Sequence, residues 1–201
     1  MKKQDIFSWM STKVEIKTTD KYGNSVQPVL NELGQKVYKK KTGLGYGVFA
    51  KETIKRNEVM FVMGGYILDI DDENQLTGIV SDKPIEISEY FSIGPRKASD
   101  IKKKPQHYIN HSCNPNSGFK EQLFIVAMKT IKAGTEIVYD YAMIMHPNKD
   151  SNSTFAFECV CGSKECRKKI SENDWKKPDL QKKYNGYFQW YLQEKINAKL
   201  K

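Results

Sequence analysis

From residue 43 onward, hydrophobic positions fall in short stretches that glycine and charged residues separate. Apolar runs of this length, bounded by turn residues, are typical of β-strands. The stretches that predict strands are residues 46–50, 59–63, 66–70, 124–128 and 136–139. The chain is therefore predicted to be mainly β, with several small sheets and short helices.

The last segment, residues 178–201, has a different period. Its apolar and aromatic positions recur at spacings of three and four, which places them on one face of a helix. These positions are Leu180, Tyr184, Tyr187, Phe188, Tyr191, Leu192 and Ile196. An aromatic stripe at this spacing is more often a packing face than a ligand site. We therefore expect a C-terminal amphipathic helix that packs on the β-rich body.

Residues 69–104 are predicted to be an insert between the two halves of the strand-rich body. The insert begins with a run of carboxylates, residues 69–73. Such a run is more often a solvated loop than a surface that attracts a basic peptide. We expect the solvated loop.

Composition indicates one globular domain with appendages. The chain has 201 residues, of which 39% are hydrophobic and 28% charged, a balance typical of soluble domains. No apolar run approaches the roughly 18 residues of a membrane span. The first ten residues lack the apolar stretch of a signal peptide. These features predict an intracellular protein, cytoplasmic or nuclear, with no membrane contact.

The net charge of +9 raises the possibility of weak contact with an acidic partner such as nucleic acid. Much of the excess lies in short lysine runs, at residues 39–41 and 102–104. Runs of this kind are usually solvated faces. We therefore expect solvated faces, with weak nucleic-acid contact as the alternative.

All four cysteines fit a single site. Cys159, Cys161 and Cys166 form a C-x-C-x4-C cluster, and Cys113 precedes them. Four thiolates complete a tetrahedral zinc shell with no open position, so the metal would be structural. Gly162 permits the tight turn that such a cluster needs. The alternatives are two disulfides, which a reducing compartment disfavours, and unrelated buried thiols.

Residues 108–116 read Y-I-N-H-S-C-N-P-N. They resemble the N-H-S-C-x-P-N signature of one family, the SET-domain protein lysine methyltransferases, and three further motifs of the chain resemble motifs of the same family. Residues 43–50 resemble its opening G-x-G motif, and residues 134–141 its G-E-E-L-x-x-D-Y motif. Residues 157–167 are similar to its post-SET cysteine segment. The motifs occur in the family's order, and the zinc interpretation agrees with them.

The resemblance implies a β-clip fold of the SET type, in which the Asn110 and Tyr141 segments cross in a knot-like threading. It implies that Cys113, Cys159, Cys161 and Cys166 share one structural Zn²⁺. The domains implied are an N-terminal extension (1–35), a SET domain (36–145, insert about 69–104), a post-SET zinc segment (155–171) and a C-terminal helix (172–201).

The resemblance also implies an activity: methylation of a lysine side chain in a histone or other protein, with S-adenosyl-L-methionine as donor. Tyr141 is then the catalytic tyrosine, and Tyr139 limits the number of methyl groups, favouring monomethylation. A neutral amine is required, which costs roughly 4–5 kcal/mol at pH 7 for a free lysine. Residues implied in cofactor binding are Gly45, Tyr46, Gly47, Asn110, His111 and Phe157.

Some positions depart from the family pattern. Met63 stands where many relatives have tyrosine, and His107 where arginine precedes the N-H-S-C motif. The chain has no cysteine-rich cluster before residue 113. The alternative functions are an inactive SET-fold module that binds a peptide and a zinc module that binds nucleic acid.

Overall fold

A computed structural model of the protein describes residues 35–43, 45–102, 104–147 and 155–199. These residues belong to one compact unit, Leu33–Lys201. The strands are β1 (Val37–Thr42), β2 (Gly45–Ala50), β3 (Val59–Val62), β4 (Tyr66–Leu68), β5 (Ile85–Glu86), β6 (Ser92–Gly94), β7 (Asn110–His111), β8 (Ser117–Lys120), β9 (Phe124–Ala127), β10 (Glu136–Tyr139), β11 (Ala156–Glu158) and β12 (Lys169–Ser171).

Short helices connect the strands. The α-helices are α1 (Ile70–Asn74), α2 (Ala98–Ile101), α3 (Pro178–Lys183) and α4 (Trp190–Lys199). Single 3₁₀ turns occur at Gly78–Val80, Pro105–Tyr108, Tyr141–Met143 and Asp174–Lys176. The prediction of a mainly β chain with short helices is confirmed. The predicted N-terminal extension, residues 1–35, lies outside the described residues except for Gln35.

The strands form four small sheets. Their orders are β1-β2-β10-β7, β3-β9-β8, β4-β6-β5 and β11-β12. In the first sheet, β10 is antiparallel to β2 and parallel to β7. Val138 pairs with Asn110, and Tyr139 pairs with His111. Two motifs that lie far apart in the sequence are therefore adjacent in space, while their knot-like threading stays a prediction.

The alternation of side chains along β2 and β10 explains why these strands lie at the centre. Val48 and Ala50 are buried on β2, and Ile137 and Tyr139 are buried on β10. Because successive strand residues point to opposite faces, each strand turns one row of apolar side chains into the core. The same core receives Phe119 of β8.

The insert contains its own sheet, β4-β6-β5, together with α1 and α2. The carboxylate run that was expected to be a solvated loop forms α1 instead. Asp69 caps this helix, since its Oδ1 accepts the backbone N–H of Asp72 at 2.9 Å. Negative charge in a first helical turn is favoured by the helix dipole, so the run suits a helix start.

The C-terminal segment contains the expected helix but is divided in two. Helix α3 ends at Lys183, and α4 begins at Trp190. Between them, Gly186 has a φ of +75°, a left-handed conformation that ends helices. The predicted C-terminal helix is therefore present as α4, and the shorter α3 precedes it. The buried positions shared by both halves are Leu180, Tyr184, Phe188, Leu192 and Ile196.

Most buried side chains form one core, which the first two sheets and the C-terminal helices share. A second, smaller cluster consists of Cys113, Cys159 and Ile170. The hairpin of β11 and β12 covers this cluster, with the remaining cysteines packed against it. Among the described residues, no helix is both long and apolar enough to cross a membrane.

Candidate active site and metal centre

Two tyrosines follow each other at the end of β10. The ring centroids of Tyr139 and Tyr141 are 5.3 Å apart, and Tyr139 also packs edge-on against Phe119. The hydroxyl of Tyr141 donates to the carbonyl oxygen of Ile109 at 3.4 Å. Both tyrosines line a cavity of about 610 Å³. This size is in the range of small-molecule sites in proteins.

Both phenols keep their protons at neutral pH. Burial, reinforced by the charge of Asp82, raises the pKa of Tyr141 to about 12. Burial raises the pKa of Tyr139 well above its usual value of 10, and Tyr141 and Glu86 add to the effect. The hydroxyls can therefore orient a ligand by hydrogen bonds, but they are poor bases.

Asn110 ties the first sheet together at the edge of the cavity. Its Nδ2 donates to the carbonyl oxygen of Tyr46 at 3.2 Å and to Oε1 of Glu136 at 2.8 Å. A Cβ at Gly47 would lie 2.3 Å from the same Oε1, so a larger residue there would displace the Glu136 carboxylate from Asn110. The exposed ring of Tyr46 packs edge-on against Tyr108.

His111 connects the tyrosines to the cysteines. Its Nδ1 accepts the backbone N–H of Tyr141 at 3.2 Å, and its Nε2 lies 3.3 Å from Sγ of Cys113. Burial lowers the pKa of His111 to about 4, so the ring is neutral at pH 7. Because Nδ1 is an acceptor, the proton lies on Nε2 and points at the sulfur. The ring also meets Phe157 edge-on, at 5.8 Å.

The structure brings together all four cysteines that the sequence assigns to one site. The sulfur atoms of Cys113, Cys159, Cys161 and Cys166 all lie within 4.8 Å of one another. Those of Cys113 and Cys159 are 3.9 Å apart. Tetrahedral zinc with Zn–S bonds of about 2.3 Å requires sulfur separations of about 3.8 Å. These residues could therefore hold a zinc ion, and Gly162, with a φ of +71°, supplies the expected turn.

A buried network joins the cysteine segment to the tyrosines. Arg167 donates to both oxygens of Asp140, at 2.5 and 2.8 Å, and to Asp174 at 3.1 Å. The hydroxyl of Tyr184 donates to Oδ2 of Asp140 at 2.9 Å and contacts the carbonyl oxygen of Cys113 at 3.2 Å. Asp140 is fully buried, so these bonds satisfy a charge that has no access to water.

The cavity divides the predicted site residues into two groups. Some of them line it directly: Gly45, Tyr46, Asn110, Tyr139 and Tyr141. Others lie outside its lining and contact the first group: Gly47, His111 and Phe157. The roles assigned to all of these residues stay predictions.

Comparison with protein families decides what this arrangement is. Residues 45–142 match the model of the SET domain. The chain contains a SET domain. This match covers the paired strands β7 and β10, both tyrosines, Asn110 and His111.

Its relatives include histone-lysine methyltransferases. Histone-lysine N-methyltransferase SUV39H1-A of Danio rerio is 27% identical over 169 residues, covering 66% of this chain and 40% of the relative. The variant-silencing SET domain-containing protein of Plasmodium falciparum is 31% identical over 146 residues, 64% of this chain and 5% of the relative. The H3 lysine-9 specific dim-5 of Neurospora crassa is 27% identical, over 59% of this chain and 37% of the relative. The chain therefore spans less than half of each relative.

The positions that depart from the family pattern both lie at the cavity of this SET domain. Met63 is buried and lines the cavity. His107 also lines it, and neither of its ring nitrogens has a hydrogen-bond partner among the described residues. Burial lowers the pKa of His107 to about 4, so its ring is neutral at pH 7.

Sequence reasoning missed the acidic character of the SET-domain cavity. The chain as a whole carries a charge of +9, yet its cavity is lined by more carboxylates than cationic side chains. The carboxylates are Glu73, Asp82, Glu86 and Glu172, and the lysine among the lining residues is Lys83. An acidic cavity favours a cationic ligand.

The buried network was also missed. The signals available were Arg167, which directly follows the last cysteine, and Asp140, which stands between the two tyrosines. Neither position indicates its partner. Tyr184 was assigned to a packing face, and its ring does pack in the core. Its hydroxyl also donates a hydrogen bond to Asp140.

Proposed function

We propose that this SET domain transfers a methyl group from S-adenosylmethionine to a lysine side chain of a protein. The observation that carries the proposal is the convergence of Tyr141, Tyr139, Asn110 and Gly45 on one cavity. The names of several relatives, which are histone-lysine methyltransferases, support the reaction class. The acidic lining suits both a cationic lysine and a cationic donor.

The tyrosines suit the chemistry of an in-line displacement. The donor supplies a methyl group bonded to a positively charged sulfur. Transfer requires a neutral amine held in line with that carbon, away from water. The rings of Tyr139 and Tyr141 give apolar walls, and their neutral hydroxyls give directional hydrogen bonds without a competing charge.

We propose that the cysteine cluster binds one structural zinc ion. A closed shell of four thiolates leaves no position for a substrate. His111 and Arg167 then transmit the position of the cluster to the catalytic segment, since both contact Cys113 and the Tyr139–Tyr141 region. The metal would support the active site without entering the reaction.

We further propose that the product is monomethyl-lysine. Tyr139 is almost fully buried, and its hydroxyl occupies space that a second methyl group would need. Mass spectrometry should show monomethyl product from the wild type and additional di- or trimethyl product from Tyr139→Phe. An unchanged product distribution in the variant would contradict this assignment.

The test of the main proposal is a transfer assay with radiolabelled S-adenosylmethionine. The acceptors are core histones, H3-tail peptides, ribosomal proteins and a cell lysate. Wild-type protein should label at least one acceptor, and Tyr141→Phe should abolish most of the label. Tyr38→Phe is the control, because Tyr38 lies on the exposed edge strand β1.

Each negative result has a defined meaning. Label that survives Tyr141→Phe would remove the role of this tyrosine. Binding of S-adenosylhomocysteine in calorimetry, without transfer to any acceptor, would favour the inactive peptide-binding module. Absence of both binding and transfer would refute the proposed activity, and steeply salt-dependent DNA binding would then favour the nucleic-acid module.

A further inference from the structure

Glu86 presents a carboxylate to the same cavity as the two tyrosines. It lies on β5, whose preceding residue, Ile85, is buried in the core. Ile85 and Glu86 both line the cavity, together with Tyr139 and Tyr141. Pairing of Glu86 with Ser92 of β6 fixes the backbone at this point. The carboxylate is thus held by a sheet and is only partly accessible.

No cationic side chain among the described residues pairs with Glu86. Lys195 of α4 is paired with Glu89. The titratable groups that face Glu86 are Glu73 of α1, Glu172 after β12, Tyr139 of β10 and Tyr191 of α4. All of these are acidic or neutral, and the lysine among the lining residues, Lys83, is paired with Asp82.

This environment changes the acidity of the group. Burial, together with the charges of Glu73 and Glu172, raises the pKa of Glu86 to about 8. A carboxyl group with such a pKa can take up and release a proton near neutral pH. The other lining groups are less suited, because the tyrosines titrate higher, and His107 titrates near 4.

We propose that Glu86 accepts the proton of the lysine ammonium group that enters the cavity. The inference rests on the proposed function and names a further catalytic residue for it. The ammonium and the carboxylate become a neutral amine and a carboxylic acid. The nitrogen lone pair then forms the bond to the methyl carbon while the carbon–sulfur bond breaks and the sulfur keeps its electron pair.

Burial favours this proton transfer. A pair of opposite charges loses hydration when it is enclosed, whereas the neutral amine and carboxylic acid lose much less. The proton therefore moves more readily here than in water, where the lysine would keep it. After transfer, the carboxylic acid returns its proton to solvent. The tyrosine hydroxyls can stay protonated throughout and keep their orienting role.

The test is the pH dependence of turnover in wild type and Glu86→Gln. The acceptors are core histones and total ribosomal proteins at saturating concentration, with radiolabelled S-adenosylmethionine. Loss of a general base typically costs 10²-fold or more, so kcat of the variant should fall about hundredfold at pH 7. The difference in kcat between the wild type and Glu86→Gln should become much smaller at pH 10, because solvent deprotonates the amine there. The effect should lie mainly in kcat.

Asp82→Asn separates proton acceptance from simple attraction. Asp82 lines the same cavity but is exposed and paired with Lys83. Removal of its charge should raise KM while the shape of the pH profile stays that of the wild type. A thermal melt at pH 7 checks that Glu86→Gln is folded, as expected for an amide that has nearly the same shape as the carboxyl group.

The outcomes separate this inference from the function on which it rests. If the wild type transfers methyl groups and Glu86→Gln has a parallel pH profile, proton acceptance by Glu86 is refuted and the methyltransferase proposal stands. If Asp82→Asn changes the pH profile of turnover in the same way as Glu86→Gln, loss of negative charge in the cavity explains both results. Proton acceptance by Glu86 is then refuted as well. If the wild type labels none of the acceptors of the transfer assay, the proposed function itself is contradicted.

Discussion

The two sides of Tyr141 differ in whether an acidic side chain has a cationic partner. On the cysteine side, Asp140 is fully buried, and each of its oxygens accepts a hydrogen bond from Arg167. On the cavity side, Glu86 has no cationic partner among the described residues. Satisfied charges fix a structure, whereas an uncompensated carboxylate favours the arrival of a cation. One side therefore holds the tyrosine in place, and the other suits the cationic substrate of the proposed reaction.

Of the changes that test this difference between the two sides, removal of the metal from the cysteine side should have the largest effect on stability. Structural zinc sites contribute on the order of 10 kcal/mol to folding, so a chelator or Cys161→Ser should unfold the β11–β12 hairpin. Elemental analysis should find one zinc ion per chain in the wild type. The affinity for S-adenosylhomocysteine should fall when the zinc ion is removed. A metal-free protein that keeps its melting temperature and its affinity would contradict a structural zinc.

The second-largest loss of stability should follow from Arg167→Met. The variant leaves the charge of Asp140 buried with fewer partners, and breaking a buried ion pair costs about 3–5 kcal/mol. Chemical denaturation measures the loss. Arg96→Met is the matched control, because Arg96 and Asp72 form an exposed pair on the insert, and such pairs contribute about 0–1 kcal/mol. Equal losses in both variants would show that the network has no special role.

Removing one carboxylate from each side should give effects of opposite sign. Asp140→Asn should destabilise the protein, because Arg167 loses its ionic partner. The pKa of Glu86 is raised to about 8, so the folded state holds a proton that the unfolded state releases above pH 4.5. Wild-type stability should therefore fall as the pH rises from about 5 through 8. Glu86→Gln should lack this loss and be the more stable protein at pH 9.

Melting temperatures measured from pH 5 to pH 9 provide the comparison. Curves for wild type and Glu86→Gln that run parallel over this interval would show that Glu86 is well solvated. Its assignment as a partly buried, uncompensated carboxylate would then be wrong.

Much of the cysteine side could be predicted from the sequence. Four cysteines, one of them followed by glycine, limit the arrangements that a single metal shell allows. The order of the motifs indicated that Asn110 and Tyr141 meet. The identity of the partner of Asp140 could not be predicted, because Arg167 competes with many other cations until the chain is folded.

The cavity side was less predictable for a different reason. Strand β5 contains two residues, too few to show the alternation that reveals which side chain faces the interior. Glu86 therefore resembled any other acid of the insert. In the C-terminal segment, the spacing of apolar residues continued across Gly186, which hid the end of α3. The glycine itself was the signal for the break.

The smallest loss of stability should come from breaking the contact between the C-terminal segment and the buried network around Asp140. Tyr184→Phe removes one hydroxyl, which donates to Asp140 and contacts the carbonyl of Cys113. Because a buried acceptor loses its partner, we expect a loss of about 1–3 kcal/mol in unfolding free energy. Tyr187→Phe is the control, since its hydroxyl bonds an exposed Asn57 at 3.3 Å. Similar losses in the two variants would mean that Tyr184 acts through ring packing alone, and the C-terminal segment would then stabilise the core without fixing the charge beside Tyr141.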